Sequence, residues 1–340
     1  DVIYGGDPVW EDNFDTPGAV NSTNWHHQTQ VIIPGVGWAN GEEQHYTDLE
    51  ENSFVDTSGN LNIVAIRKNR SDQGLTKSFT SARLNSKFAF TYGRVDVRAK
   101  LPKGNGTWPA IWTLGKNIYE PGAFWHSSHG TTSWPDCGEI DIMEHGLGAT
   151  NHVSSALHTG SSSGNTENTL GINISDVNSN FHVYSMNWSP DQITFLVDGV
   201  GFYTYKPSDK NTATWPFDED QFILLNVAMG GISGAVDPGF TESAMIVDYV
   251  RVYQEVVLST DKDLDLDSTL KLYPNPATDK IYISSKKPLS ALALYDVYGK
   301  LVLKKENNAN SIDVSRLNSG VYFLEVSSNS ERVVKKVIIN

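Results

Sequence analysis

Three carboxylates fall within six residues in the segment Trp134-Pro135-Asp136-Cys137-Gly138-Glu139-Ile140-Asp141-Ile142-Met143-Glu144-His145, and packing does not call for them. In a β-strand successive side chains point to opposite faces, so Glu139, Asp141 and position 143 share one face and Ile140 and Ile142 the other. The isoleucine face is expected in the core and the acid face in water. Position 143 is Met, however, and Glu144 arrives one residue late; a regular strand would turn it inward. A β-bulge near Met143 restores it, since one extra residue re-aims the next side chain and bulges gather beside active sites. The three acids then form one row. Like charges that close oppose ionisation, so at least one carboxyl should hold its proton near neutral pH. Carboxyls whose pKa values are pushed apart are the equipment of glycoside hydrolysis, one acting as nucleophile or base and the other as acid. Two other readings compete with this one. A solvated acidic face would alternate with Lys, Thr or Ser, and a metal site would want His or further oxygen ligands close by.

The elements that must position this row are strands. Gly, Asn, Ser and Thr punctuate short strand-like runs, aromatic residues are plentiful, and no long stretch keeps a helical period, which predicts an all-β chain. At 340 residues two domains are expected. No run of eighteen apolar residues is present to form a transmembrane helix. The single Cys137 excludes an internal disulfide and reads as a small buried residue behind the acid-bearing strand. The chain opens at Asp1 without Met or an apolar leader, as expected of a chain whose signal peptide has been removed.

A boundary is expected near residue 254. Residues 254–270 lose aromatics, gain acids and read as a linker; Asp261, Asp263, Asp265 and Asp267 alternate there but lack the glycine and terminal glutamate of an EF-hand loop. Residues 271–340 hold short strand patterns at 280–284, 291–295, 301–304, 320–326 and 332–339, enough for a small β-sandwich. Charge is divided unevenly. Residues 1–253 carry −15, residues 254–270 carry −4 and residues 271–340 carry +5. So acidic a first domain repels nucleic acid and sulfated polysaccharide, leaving a neutral polymer as the expected partner.

Glu139-Ile-Asp141-Ile-Met-Glu144 resembles the Glu-x-Asp-x-x-Glu signature of glycoside hydrolase family 16, in the bulged form typical of laminarinases. Trp108-Pro-Ala-Ile-Trp112, Phe181 to Trp188 with Val197-Asp198-Gly199, Asp248 to Tyr253, and Trp10 to Phe14 resemble further family segments, in family order. The resemblance covers roughly residues 8 to 254. It implies a jelly-roll β-sandwich and a retaining mechanism, with Glu139 as nucleophile, Glu144 as general acid/base and Asp141 tuning its neighbours. It implies no cofactor for catalysis. Trp108, Trp112 and Trp134 are expected as cleft walls on which a pyranose stacks, while Trp10 and Trp188 sit in strand patterns and are expected in the core. In Gly37 to Thr47, residue Asn40 matches a cleft-lining asparagine, and Glu43 and His45 depart from the pattern. Arg83 matches a sugar-contacting arginine. His158 matches a histidine on a strand beside the acid/base residue and could orient Glu144 or be an ordinary core histidine. Asp248 matches a ligand of a structural calcium completed by backbone carbonyls near Glu11 and Gly59. One departure concerns substrate. Gly230-Gly231 is followed by Ile-Ser-Gly-Ala-Val-Asp237, where laminarinases often carry Asn-Trp-Pro-Gly, so one tryptophan contact is missing.

The tail resembles the C-terminal sorting domain of type IX secretion, through Tyr273-Pro-Asn-Pro276, Leu294 to Lys300, Leu317 to Tyr322 and the terminal residues Val333 to Asn340. This implies an immunoglobulin-like β-sandwich and export across the outer membrane of a Gram-negative bacterium, to a secreted or cell-surface location. A carbohydrate-binding module is the rival reading, and the tail has no tryptophan to support it. The expectation for the whole is a secreted, monomeric endo-β-1,3-glucanase acting on laminarin-like glucan. A mixed-linkage β-1,3-1,4-glucanase is the alternative, and a β-glucan-recognition protein the non-enzyme alternative.

Overall fold

The computed structural model describes residues 4, 6–254, 266, 270–306, 310–328 and 332–340. The chain divides into two compact units, Asp1–Val256 and Val257–Asn340. Apart from Gln254, Leu266 and Leu270, the expected linker lies outside the described residues, and so do its four alternating aspartates.

The first unit is a sandwich of a ten-stranded and a seven-stranded sheet, the jelly roll expected from the sequence. The seven-stranded sheet carries the acids. Its strands lie in the order Thr169–Asn173, His152–His158, Glu139–His145, Thr107–Gly115, Gln221–Met229, Arg83–Phe90 and Trp25–His27. All pairings within it are antiparallel, which lets one face pack inward and the other meet substrate. The inward face supplies Ile111, Ile140, Ile142, Met143, Val153, Leu157, Ile223, Leu225 and Val227 to the main core. There they meet Val95, Val97, Ala99, Met245, Val247, Val250 and Val252 from the facing sheet. Each such side chain contributes about 1.5–3 kcal/mol by leaving water, which fixes the register that the opposite face depends on. Trp188 is fully buried, and Trp10 is partly buried against Trp25 and Phe88.

The second unit has its own core, centred on Ile281, Ile283, Leu292, Leu294, Leu324, Val326, Val337 and Ile339. A three-stranded and a four-stranded sheet supply it. The five expected strands are present; Lys271–Tyr273 and Ser311–Asp313 add two short ones. Among the described residues no helix is long and apolar enough to cross a membrane.

Candidate active site

Pairing along the acid-bearing strand is regular from Glu139 opposite Leu114 to Asp141 opposite Trp112, then resumes with Met143 opposite Ile111 and Glu144 opposite Ala110. Ile142 is the additional residue. Ile142 and Met143, adjacent in sequence, are both buried in the main core, so alternation restarts one residue late and Glu144 returns to the face of Glu139 and Asp141. Ser155 closes the bulge by donating its hydroxyl to the Ile142 carbonyl at 2.7 Å. Entry to the strand is set by Gly138, at φ +77°, where an added Cβ would stand 2.9 Å from Pro216 and 3.0 Å from Phe217. The bulge read from the sequence is therefore present.

The expectation that this face is wet is corrected. Asp141 is 3% exposed, and Glu139 and Glu144 are half-buried. Burial raises all three carboxyls. Glu139 is held well above the usual range by burial and then by the charge of Asp141; burial raises Asp141 as well; Glu144 is pushed up to about 8 by burial and then by Asp141. Two indoles grip the ends of the row. Trp134 Nε1 donates to Glu139 Oε2 at 3.0 Å and Trp108 Nε1 donates to Glu144 Oε1 at 3.1 Å. Of the three expected wall residues, Trp134 is 44% exposed and Trp108 is buried at 9%, and these two also hold a carboxyl.

His158 stands among the acids. It lies directly across the ladder from Glu139, and its Nε2 stands 3.2 Å from Asp141 Oδ2 and 3.6 Å from Glu139 Oε1. Register therefore gives its direct contacts to the first two acids, while its charge also bears on Glu144. Cys137 is fully buried beside Leu114, Ile118, Phe222 and Leu224, and burial pushes its thiol up, which leaves it a packing residue.

Trp112 is tied down from below. Its Nε1 donates to Asn226 Oδ1 at 2.7 Å, Asn226 Nδ2 donates to Tyr46 Oη at 3.0 Å, and Tyr46 donates to Glu42 Oε2 at 3.2 Å. Gln44 also donates to that Glu42 oxygen at 2.6 Å, and burial raises Glu42 to about 6. Arg83 is 5% exposed, lies over the rings of Trp112 and Trp38 at 4.8 and 5.2 Å, and pairs with Glu120 at 2.6 Å. Glu120 takes a further hydrogen bond from Gln28 at 2.7 Å. Sequence reasoning singled out neither Glu120 nor Asn226, because no local pattern marks a partner that arrives from another strand or loop. Asn40 occupies a left-handed turn at φ 58°, and a Cβ on Gly231 would stand 2.2 Å from its carbonyl oxygen. The turn thus abuts the segment that lacks the tryptophan, where Ile232 is 58% exposed.

Asp248 lies in the facing sheet, at the ladder irregularity between Val247 and Tyr249, and its Oδ2 accepts from Arg98 Nη1 at 2.6 Å. One carboxylate already shared with a guanidinium does not by itself fit calcium, which takes 6–8 oxygens. Only a site completed by backbone carbonyls would.

Residues 41–251 match the model of glycosyl hydrolases family 16, and residues 271–340 match a secretion system C-terminal sorting domain. The chain belongs to glycosyl hydrolase family 16. A β-glucanase of Rhodothermus marinus is 36% identical over 262 residues, covering 73% of this chain and 85% of that protein. Among solved structures, a LamA variant from Z. galactanivorans in complex with laminaritriose and laminaritetraose is 40% identical, with a TM-score of 0.67, covering 73% of this chain and 99% of that one. SCLam, a non-specific endo-β-1,3(4)-glucanase of the family, is 34% identical, with a TM-score of 0.65, covering 75% and 93%. This chain is a glycoside hydrolase with a sorting tail.

Proposed function

We propose that the chain hydrolyses internal β-1,3 linkages of laminarin-like glucans with retention. The observation that carries this is the separate gripping of two carboxyls on one face, Glu139 by Trp134 and Glu144 by Trp108, with Asp141 between them. Burial keeps a proton on Glu144 near neutrality, as a general acid requires. Glu144 gives that proton to the glycosidic oxygen while a Glu139 oxygen attacks the anomeric carbon, and the leaving chain departs as an alcohol. Glu144, now a carboxylate, takes a proton from water, whose oxygen displaces Glu139 and restores both groups. Glu139 attacks as the carboxylate: burial and the charge of Asp141 raise its pKa, and the His158 imidazole and the Trp134 N–H favour the ionised form against them. The −15 of residues 1–253 supports a neutral substrate.

Reducing-sugar release from laminarin, barley β-glucan and agarose, with wild type beside Glu139→Gln, tests the reading. We expect release from laminarin, a loss of about 10³-fold or more in the variant, and the β-anomer as first product by proton NMR. Release from barley glucan at an equal rate would favour the mixed-linkage alternative, which the Gly230-Gly231-Ile232 segment supports by its missing tryptophan. The sorting tail would take the enzyme through the type IX machinery to a secreted or cell-surface location on a Gram-negative bacterium, as a monomer. Calcium at Asp248 would be structural, on the sheet facing the acids.

A further inference from the structure

We propose that Glu139, Asp141 and His158 form a zinc site which, when occupied, shuts the reaction off. Three ligating atoms of two kinds, a carboxylate oxygen from each acid and an imidazole nitrogen, lie within 4.8 Å of one another. The two separations from His158 suit one metal. A tetrahedral ion with bonds of 2.0–2.2 Å needs ligands roughly 3.3–3.6 Å apart, and His158 Nε2 stands 3.2 Å from Asp141 Oδ2 and 3.6 Å from Glu139 Oε1. Asp141 Oδ2 is also buried and takes no hydrogen bond, and the contact it does make is with His158 Nε2 at 3.2 Å, so the oxygen and nitrogen that would share the ion already face each other.

The donor set selects the cation. Two carboxylates balance a dication, and an imidazole suits zinc, whereas magnesium and calcium want six or more oxygens. His158 Nδ1 is buried without an acceptor. Resident metal sites almost always supply that outer partner; zinc here would be held without it, and more weakly than at a resident site. Trp134, 44% exposed and tilted beside His158 at 5.7 Å, marks the solvent side. Zinc bound there would hold the Glu139 oxygen that faces His158 and displace any proton shared along the row. The inhibitory half of the proposal rests on the retaining reading above; the binding half does not.

The test is a calorimetric titration of ZnCl2 into the full chain in a non-coordinating buffer, with laminarin hydrolysis followed in parallel. We expect one zinc per chain, inhibition competitive with laminarin at a constant matching the titration, and no response to MgCl2 or CaCl2 at the same concentrations. His158→Gln should weaken zinc by about 100-fold, the upper end of what loss of even an outer partner costs. Asp141→Asn serves as the second variant should the first fail to fold. Absence of 1:1 binding, or an affinity unchanged in both variants, would overturn the site. An unchanged affinity would point instead to the exposed cluster where His182 Nδ1 meets Asp198 at 2.7 Å and Nε2 meets Asp176 at 3.1 Å. Zinc binding lost in the variants, in a chain that cleaves no glucan, would sustain the site while sinking the substrate reading.

Discussion

An indole N–H that donates to a carboxyl stabilises the ionised form, so Trp134 and Trp108 act on the two ends of the row in a way their stacking surface does not. Replacing either with Phe keeps an apolar ring and removes the donor. With Glu139 as the group that must be ionised, Trp134→Phe should move the acidic limb of the kcat/KM profile upward by roughly one unit, the equivalent of about 1.4 kcal/mol. With Glu144 as the group that must be protonated, Trp108→Phe should move the basic limb upward by a similar amount. Lower rates with both limbs stationary would mean that the tryptophans only pack. Stability carries the complementary signature. A carboxyl near 8 in the folded chain and near 4.5 unfolded keeps a proton that the unfolded chain has released between those values. Its contribution is therefore fully present below about pH 4.5 and lost as pH rises towards 8. Glu144→Gln escapes that loss. Its melting temperature relative to wild type should improve between pH 5 and pH 8, by the equivalent of about 1–3 kcal/mol; an advantage that does not change with pH would mean the carboxyl is not held protonated.

At the scale of the element, the bulge decides which residues can do chemistry. Deleting Met143 would leave Glu-Ile-Asp-Ile-Glu, a strand that alternates regularly and still sends three acids to one face. Such a variant should fold, lose about 2–4 kcal/mol for the missing core side chain, and retain measurable hydrolysis. Deleting Ile142 together with Met143 should turn Glu144 to the opposite face of the strand and abolish activity; equal activity in the two would show that alternation does not aim the acid. The acid row and the bulge were legible because alternation of Ile with acid fails at one identifiable residue. The burial of the acid face was not, since Trp108 comes from the neighbouring strand and Trp134 reaches back over Glu139 only through the turn that precedes the strand. Nor was the support of Arg83, whose partner Glu120 lies 37 residues on, or the route from Trp112 through Asn226 to Tyr46, which spans 180 residues in one step. The partners of His158 were hidden for the same reason. Its family position placed it near the acids, but only the register of His152–His158 on Glu139–His145 says which acid it meets.

At the scale of the whole molecule, the two units fill separate cores. The first is large, with every strand of the seven-stranded sheet, edges included, anchored inward; the second rests on about a dozen side chains in fewer than ninety residues. A domain of that size buries too little of its surface to hold more than about 3–5 kcal/mol. None of the residues that grip the acids comes from the second unit. Calorimetry of the full chain should accordingly show two transitions, the lower belonging to the tail, and a chain ending at Gln254 should keep only the upper one. That shortened chain should hydrolyse laminarin with kcat/KM within about twofold of the full chain, a difference of less than about 0.5 kcal/mol in the barrier. A single transition in the full chain, or a tenfold loss on truncation, would mean that the sorting tail lends the catalytic unit stability or substrate contacts. The tail's role would then extend beyond export.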